Sequence, residues 1–186
     1  MPKNNYKFFF LVGSPRSGTT ILAESINKFD NIYISSETHW FDHYKGDLDL
    51  FLNSRHGATF LEKFSIKKPK KKDLLGLLEE FGNTVTKDQK ASLFFIGEKT
   101  PAHIKSINKL IKMGKVVIIE RDFWSVVKSI RSSEWDSKSL FRTVARISIE
   151  RFISFISILF FSNKVLKIKY EDLIGKPEDT LKKVLK

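Results

Sequence analysis

The segment that most constrains the fold of this chain is FFFLVGSPRSGTTIL, residues 8–22. Its continuous apolar start predicts a strand that is buried on both faces, as in parallel sheets. Gly13 and Gly18 bound a loop, and residues 19–28 have helical periodicity. A helix that begins directly after such a loop presents unpaired N–H groups and a partial positive charge to an anion. The segment therefore predicts an anion site between the first strand and the first helix.

The rest of the chain alternates between strand and helix patterns. This alternation predicts an α/β fold of the P-loop type, with three α/β/α layers around a central parallel sheet. With 186 residues, the chain suits a single domain spanning 1–186. Further predicted strands are 31–35, 93–97, 115–120 and 165–170, and further predicted helices are 58–64, 73–81, 101–113, 123–132 and 139–161, with a last one starting at Pro177.

The apolar stretch 152–161 is the strongest candidate for a membrane segment. A helix needs about 20 apolar residues to cross a bilayer, so this stretch is predicted to be part of a buried helix instead. The sequence also lacks the apolar stretch and the cleavage site of a signal peptide. Cytoplasm is therefore the expected location, with no membrane span.

The net charge of +12 favours an anionic partner, although the charge also serves solubility. Nucleic acid, a membrane surface and a phosphorylated or sulfated ligand are the three classes of partner that it suits. The chain has no cysteine, which excludes disulfides, thiolate metal sites and cysteine nucleophiles. Histidines 39, 43, 56 and 103 are scattered along the sequence, so we expect no dense cluster of metal ligands and no metal site.

The glycine loop departs from the usual P-loop at one position. The spacing from Gly13 to Gly18 matches G-x-x-x-x-G-K-[ST], but Thr19 stands where the lysine is expected. The cation lies inside the loop, as Arg16, whose planar guanidinium suits oxyanions. Because the missing lysine is the residue that reaches the β/γ-phosphates, a P-loop nucleotide kinase is the weaker hypothesis. A tight turn without a ligand is the plainer alternative.

Residues 15–20, P-R-S-G-T-T, resemble the 5′-phosphosulfate loop of the sulfotransferases that use 3′-phosphoadenosine 5′-phosphosulfate (PAPS). That loop reads P-[KR]-S-G-T-T and follows the first strand in the family. The resemblance implies that PAPS is the co-substrate, and that Arg16 acts both in binding and in catalysis. The residues implied to hold the phosphosulfate are Pro15, Arg16, Ser17, Gly18, Thr19 and Thr20.

Residues 36–42, S-E-T-H-W-F-D, are similar to the E-x-H-F-F-D stretch of Golgi-type carbohydrate sulfotransferases. Tyrosylprotein sulfotransferases also have a catalytic glutamate here, followed by threonine. The resemblance implies that Glu37 is the general base that deprotonates the acceptor. Partial burial is expected to raise its pKa above the ordinary ~4.3 and so make it a better base. A capping role at a helix start is the alternative.

Residues 97–103, G-E-K-T-P-A-H, look like the E-K-[ST]-P segment of the carbohydrate branch. The resemblance implies that Lys99 contacts the sulfuryl group and the bridging oxygen, where charge develops in the transition state. Pro101 stands where the cytosolic branch has a histidine base, which favours Glu37 as the base here. His39 and His103 are lesser candidates, and for His39 packing is the favoured interpretation.

Arg121 and Ser129, eight residues apart, resemble the pair that binds the 3′-phosphate in the family. Arg121 follows a predicted strand, at the sheet edge where parallel sheets bind ligands. A guanidinium fork and a hydroxyl suit a phosphate, and a salt bridge of Arg121 at the strand end is the weaker alternative. Tyr170, in the Y-E-D-L segment, is implied to lie near the nucleotide, with packing as the alternative.

The predicted function is transfer of a sulfuryl group from PAPS to a hydroxyl or amine of an acceptor, without a metal. A glycan or small metabolite is the favoured acceptor, and a peptide tyrosine is the alternative.

The chain ends inside a predicted helix, before the segment that closes over the nucleotide in the family. We therefore expect the C-terminal part of the family fold to be missing, and a catalytically impaired nucleotide-binding fragment stays a further alternative. A basic nucleic-acid-binding protein is a rival because of KKPKKK at 67–72, although we expect no nucleic-acid partner.

Overall fold

Strands with continuous apolar sequences form the centre of the molecule. The computed structural model describes residues 5–66, 73–86, 93–133 and 139–185, so the KKPKKK segment lies outside the described residues. Within them, five parallel strands form one sheet in the order β2-β3-β1-β4-β5. The strands are β1 (Asn5–Gly13), β2 (Ile32–Ser35), β3 (Leu93–Lys99), β4 (Lys115–Glu120) and β5 (Val165–Lys169).

The central strand β1 pairs with β3 on one side and with β4 on the other. Phe10, Leu11 and Val12 are fully buried, as expected for a strand covered on both faces. Because all five strands run in the same direction, their carboxyl ends meet at one edge of the sheet. The loops that follow the strands are therefore brought together there.

Helices cover both faces of the sheet. One face packs Phe10 of β1 against a core that includes Phe51 and Phe60, whereas the other face packs Leu11 against Leu22 and Leu173. The predicted α/β fold with a parallel central sheet is therefore confirmed. The helices are α1 (Thr19–Ile26), α2 (Leu48–Leu52), α3 (Arg55–Lys63), α4 (Leu74–Val85), α5 (Ile107–Met113), α6 (Phe123–Arg131), α7 (Leu140–Phe161), α8 (Tyr170–Gly175) and α9 (Pro177–Val184).

Short polar side chains begin several of these helices. The carboxylate of Asp73 accepts a hydrogen bond from the backbone N–H of Gly76 and so caps the start of α4. Asp122 caps α6 in the same way, through the N–H of Ser125. This second cap fixes the start of α6 directly after β4, so the direction of the chain beyond Arg121 is set.

The helix expected over 101–113 differs in its first part. Pro101–Ser106 forms a 3₁₀ turn, and the α-helix α5 follows it. Thr100 does not cap this turn with its side chain, because its hydroxyl hydrogen-bonds the carboxylate of Glu98 instead. The chain after β3 is thus tied back to its own strand.

Helix α7 is not the buried helix that its sequence predicts. Its inner side carries the small polar residues Ser154 and Ser157, which are buried and allow the helix to lie close to the sheet. Phe152, Phe155 and Phe160 point away from the core and are 65%, 60% and 68% exposed. The composition of 152–161 therefore predicted burial wrongly, because Ile153 and Ile158 pack against the core while most of the other apolar side chains face outward. Among the described residues, no helix combines the length and apolarity needed to cross a bilayer.

Candidate active site

The loop between β1 and α1 has the tight backbone expected of an anion-binding loop. Gly18 has φ 100° and Arg16 has φ 69°, both in the left-handed region. A Cβ on Gly18 would lie 2.4 Å from the ring of Tyr170, so no larger residue fits. The α1 helix starts at Thr19, and its amino-terminal end therefore directs a partial positive charge at the space in front of the loop.

A cleft of about 480 Å³ opens at this edge of the sheet. It brings together residues from the ends of all five strands or from the segments that follow them. Its size and its cationic and hydroxyl lining suit an anionic ligand larger than a single phosphate. The lining residues are Pro15, Arg16, Gly18, Thr19, Thr20, Ile21, Glu37, His39, Pro101, Ala102, Arg121, Ser129 and Tyr170.

Ser17 is the one residue of the 15–20 loop that does not line the cleft. Its side chain is fully buried, and its hydroxyl oxygen has no hydrogen-bond partner among the described residues. Its backbone N–H donates to the carbonyl of Ser14 at 3.1 Å and so closes the turn. Ser17 therefore shapes the loop from inside, and its side chain does not reach the surface of the cleft.

One end of the cleft is formed by two arginines and their partners. The Nε of Arg16 donates to the Oγ of Ser129 at 3.1 Å, and Nη1 of Arg121 donates to the carbonyl of Arg16 at 3.4 Å. The guanidinium of Arg121 also lies 4.6 Å from the ring centre of Tyr170, a cation–π contact. These contacts join the glycine loop to the segments after β4 and β5, and they concentrate positive charge there.

Glu37 and Lys99 form an ion pair on the other side of the glycine loop. The Nζ of Lys99 lies 2.5 Å from Oε1 of Glu37 and 3.5 Å from Oγ1 of Thr20. The second carboxylate oxygen of Glu37 lies 3.2 Å from Nε2 of His39. Burial raises the pKa of Glu37, but the hydrogen bonds from His39 and Lys99 outweigh it and lower the pKa to about 2. The expectation that burial makes Glu37 more basic is therefore wrong for the free protein.

His39 is the charged partner of two carboxylates. Its Nδ1 lies 2.9 Å from Oδ2 of Asp42, and its Nε2 faces Glu37. The hydrogen bond with Asp42, followed by that with Glu37, raises the pKa of His39 to about 9, although burial opposes the shift. At neutral pH His39 therefore carries a positive charge and holds Glu37 in place, which makes it more than a packing residue.

A buried network around Glu98 supports the segment that carries Glu37. Glu98 is fully buried, and its carboxylate accepts hydrogen bonds from the N–H and the hydroxyl of Thr38 at 3.1 and 2.9 Å. Nδ1 of His103 lies 3.1 Å from the other oxygen. Burial raises the pKa of Glu98, but the charge and hydrogen bond of His103 outweigh it and lower the pKa. Strand β3 and the segment after β2 are thus joined directly behind Glu37.

Sequence reasoning did not identify Glu98 as important, although it lies in the G-E-K-T-P-A-H segment next to Lys99. The sequence signal for this network was the presence of the hydroxyl residues Thr38 and Thr100 close to Glu37 and Glu98. The same network explains His103, which is fully buried behind the cleft and does not line it. His103 is therefore poorly placed to act as the base.

The four histidines are not scattered in space. Rings of His39 and His43 stack at 4.3 Å, and the ring centre of His56 lies 4.6 Å from that of His39. One ring nitrogen from each of these three residues lies within 4.8 Å of the other two. The expectation that the histidines form no cluster is wrong for three of them, because the helix after residue 54 packs back over the segment after β2.

A parallel sheet with a glycine loop between its central strand and the next helix defines an α/β protein of the P-loop type, with a ligand cleft at the carboxyl edge. The family model of the sulfotransferase family matches residues 9–186. The chain therefore belongs to the sulfotransferase family. No curated protein sequence matches the chain.

Solved sulfotransferase structures share this fold. The chain is similar to the sulfotransferase domain of the Synechococcus PCC 7002 olefin synthase, with TM-score 0.63, 19% identity and coverage of 99% of this chain and 73% of that one. The sulfotransferase domain from the curacin biosynthetic pathway gives TM-score 0.61, 16% identity and coverage of 98% and 73%. A sulfotransferase from Alicyclobacillus acidocaldarius gives a TM-score of 0.54 at 15% identity, with coverage of 91% of this chain and 75% of that one. At these identities the similarity supports the fold alone.

Proposed function

We propose that the protein transfers a sulfuryl group from PAPS to a hydroxyl group of an acceptor. The observation that supports this most is the arrangement of a single cleft. The anion-binding loop lines the cleft together with Arg121 and Ser129 at one end and Glu37 on the other side. Lys99 is not itself a lining residue, but it is paired with Glu37. A donor with a phosphosulfate and a separate phosphate matches two cationic positions joined by one loop.

In this proposal the loop binds the 5′-phosphosulfate through backbone N–H groups and the hydroxyls of Thr19 and Thr20. Arg121 and Ser129 bind the 3′-phosphate, and Tyr170 holds the guanidinium of Arg121 in place. Arg16, which already reaches Ser129, contributes charge to both ends. Selection of PAPS over ATP would then depend on Arg121, because ATP lacks a 3′-phosphate.

Lys99 has two roles in the proposed reaction. It pairs with Glu37 in the free protein, and its Nζ already lies 3.5 Å from Thr20 of the glycine loop. When the donor is bound, Lys99 turns to the phosphosulfate and leaves Glu37. Loss of that cation raises the pKa of Glu37 and restores its ability to accept a proton.

Glu37 then takes the proton of the acceptor hydroxyl. The acceptor oxygen forms a bond to sulfur while the bond between sulfur and the bridging phosphate oxygen breaks. Lys99 stabilises the negative charge that develops on that leaving oxygen, and Arg16 stabilises the charge on the sulfuryl oxygens. His39 keeps the second carboxylate oxygen in place, so the first oxygen faces the acceptor. A glycan or small metabolite is the proposed acceptor, and a peptide tyrosine is the alternative.

Calorimetric titration with adenosine 3′,5′-bisphosphate and, in parallel, with ATP tests the donor. We expect the bisphosphate to bind at least tenfold more tightly, and Arg121→Ala to remove this preference because only the bisphosphate offers a 3′-phosphate to Arg121. Lys128→Ala removes one exposed charge from the neighbouring helix and is the matched control, which should keep the preference. Equal binding of the two nucleotides by the unaltered protein would exclude the proposed donor.

Transfer of labelled sulfate from PAPS to a panel of glycans, small hydroxylated metabolites and tyrosine peptides tests the base. We expect Glu37→Gln to lower kcat/KM by about 10²–10⁴, the usual contribution of a general base. The same substitution at the exposed Glu24 of α1 is the control and should leave turnover unchanged. Undiminished turnover by Glu37→Gln would remove Glu37 from this role.

A further inference from the structure

We propose that His39, His43 and His56 form a binding site for a transition-metal ion of borderline softness, such as Zn²⁺. One ring nitrogen from each residue lies within 4.8 Å of the other two. Imidazole is a preferred ligand of zinc, and three histidines with an open fourth position make a familiar zinc site. Nothing in the proposed sulfuryl transfer requires these three residues to be together.

Two of the three rings already have the outer partners that metal-bound histidines need. Nδ1 of His39 lies 2.9 Å from the carboxylate of Asp42, and Nδ1 of His56 lies 2.6 Å from the hydroxyl of Tyr44. In metal sites such a partner accepts a hydrogen bond from one ring nitrogen and leaves the lone pair of the other for the ion. The same arrangement here assigns Nε2 of His39 and of His56 to the metal, and zinc binding displaces the proton that Nε2 of His39 holds against Glu37 in the metal-free protein.

The distances require only a small contraction. Around a tetrahedral zinc with Zn–N bonds of about 2.0–2.1 Å, ligand nitrogens lie about 3.4 Å apart. His43 has the freedom to close the gap, because its side chain is 54% exposed and the residue lies in a turn. The stacked rings of His39 and His43, 4.3 Å apart, already lie on the same side of the segment.

The charges around the cluster favour a cation. The carboxylate of Asp42 contacts His39 and lies 3.7 Å from Nε2 of His43. The carboxylate of Glu37 lies 3.2 Å from Nε2 of His39, the nitrogen assigned to the metal. An ion bound there is therefore within reach of Glu37 as a fourth ligand. If Glu37 is also the base, which rests on the proposed function, metal binding and sulfuryl transfer compete for the same carboxylate.

Metal binding itself is the test, and it does not depend on sulfotransferase activity. The full chain is dialysed to equilibrium against ZnCl₂ and the bound zinc is counted, and the absorption spectrum of the Co²⁺-loaded protein reports the ligands. We expect one zinc per chain. Loss of one outer-sphere partner of a ligand typically costs 10–100-fold in affinity, so His43→Ala and His56→Ala should each cost at least tenfold.

Arg55→Ala changes the exposed neighbour of His56 and is the matched control, which should bind zinc like the unaltered protein. Circular dichroism establishes that each variant is folded, and His43→Ala is the safest of them because the side chain is exposed. Unchanged affinity in folded His43→Ala and His56→Ala would overturn the proposal, as would a wild-type protein that takes up no stoichiometric zinc. Bisphosphate binding would be unaffected by either result, so failure here and failure of the proposed function remain distinguishable.

Discussion

Four charged side chains alternate in sign beside the glycine loop: Lys99, Glu37, His39 and Asp42. The ion pairs favour the ionised forms of Glu37, His39 and Asp42. The folded-state pKa of Glu37 is lowered to about 2, so its contribution to stability is present above its ordinary pKa of 4.5 and is lost as the pH falls towards 2. The pKa of His39 is raised to about 9, so its contribution is complete below 6.5 and is lost as the pH rises through 9. Both contributions are therefore complete only between about pH 4.5 and 6.5.

The two anionic neighbours of His39 lead to a prediction for the pKa of its imidazole. We expect its imidazole to titrate near pH 9 in NMR spectra, and Glu37→Gln to lower this pKa because one of two anionic partners is removed. Asp42 remains, so the pKa in the variant should stay above the ordinary value of 6.5. Glu24→Gln should leave the titration unchanged. A pKa near 6.5 in the unaltered protein would show that the ion pairs do not form in solution.

At the scale of the elements, the glycine loop leaves no room for a side chain at Gly18. Gly18→Ala places a methyl group in the ring of Tyr170 and in a left-handed backbone conformation. We expect it to weaken binding of adenosine 3′,5′-bisphosphate at least tenfold in calorimetry, because the loop or the Tyr170–Arg121 contact must shift. Gly175→Ala is the control, since a Cβ there meets nothing within 4 Å. Equal affinities in the two variants would show that the loop adapts without cost to binding.

The exposed side of α7 leads to a stability prediction. Phe155 is 60% exposed, whereas Phe60 of α3 is 1% exposed in the core. We expect Phe155→Ala to change the free energy of unfolding in urea by less than about 0.5 kcal/mol, and Phe60→Ala to lower it by about 3–5 kcal/mol. A large loss at Phe155 would mean that its ring is covered in solution, as the sequence alone suggested.

The strands were the most predictable elements, because a strand covered on both faces requires a continuous apolar run such as residues 8–12. Helices α2 and α8 were missed, since five and six residues are too few to establish a helical period. The charged partners of Glu37 could not be predicted from the sequence either. Their placement depends on the pairing of Ser35 with Glu98 between β2 and β3, which brings Lys99 to a carboxylate 62 positions earlier in the chain.

At the scale of the whole molecule, the cleft depends on segments that follow all five strands. A ligand that contacts several of them stabilises the folded state by mass action, because the unfolded chain has no such site. At a bisphosphate concentration of 100 times Kd, we expect the free energy of unfolding to rise by about 2.7 kcal/mol. Urea titrations with and without the ligand measure this. At the same ligand concentration, the free energy of unfolding of Arg121→Ala should rise clearly less. An equal rise would show that the bisphosphate does not bind at Arg121.

Strand β1 is made first during synthesis, yet it occupies the middle of the sheet. Its partners begin at residues 93 and 115, so about a hundred residues must leave the ribosome before either edge of β1 is paired. At translation rates of roughly 5–20 residues per second, the run FFFLV stays unpaired for about 5–20 s. An apolar segment with both edges free for that time is a substrate for chaperones and a starting point for aggregation. The strand that supports the glycine loop thus makes the nascent chain vulnerable, and the yield of folded protein should depend on how the first third of the chain is protected.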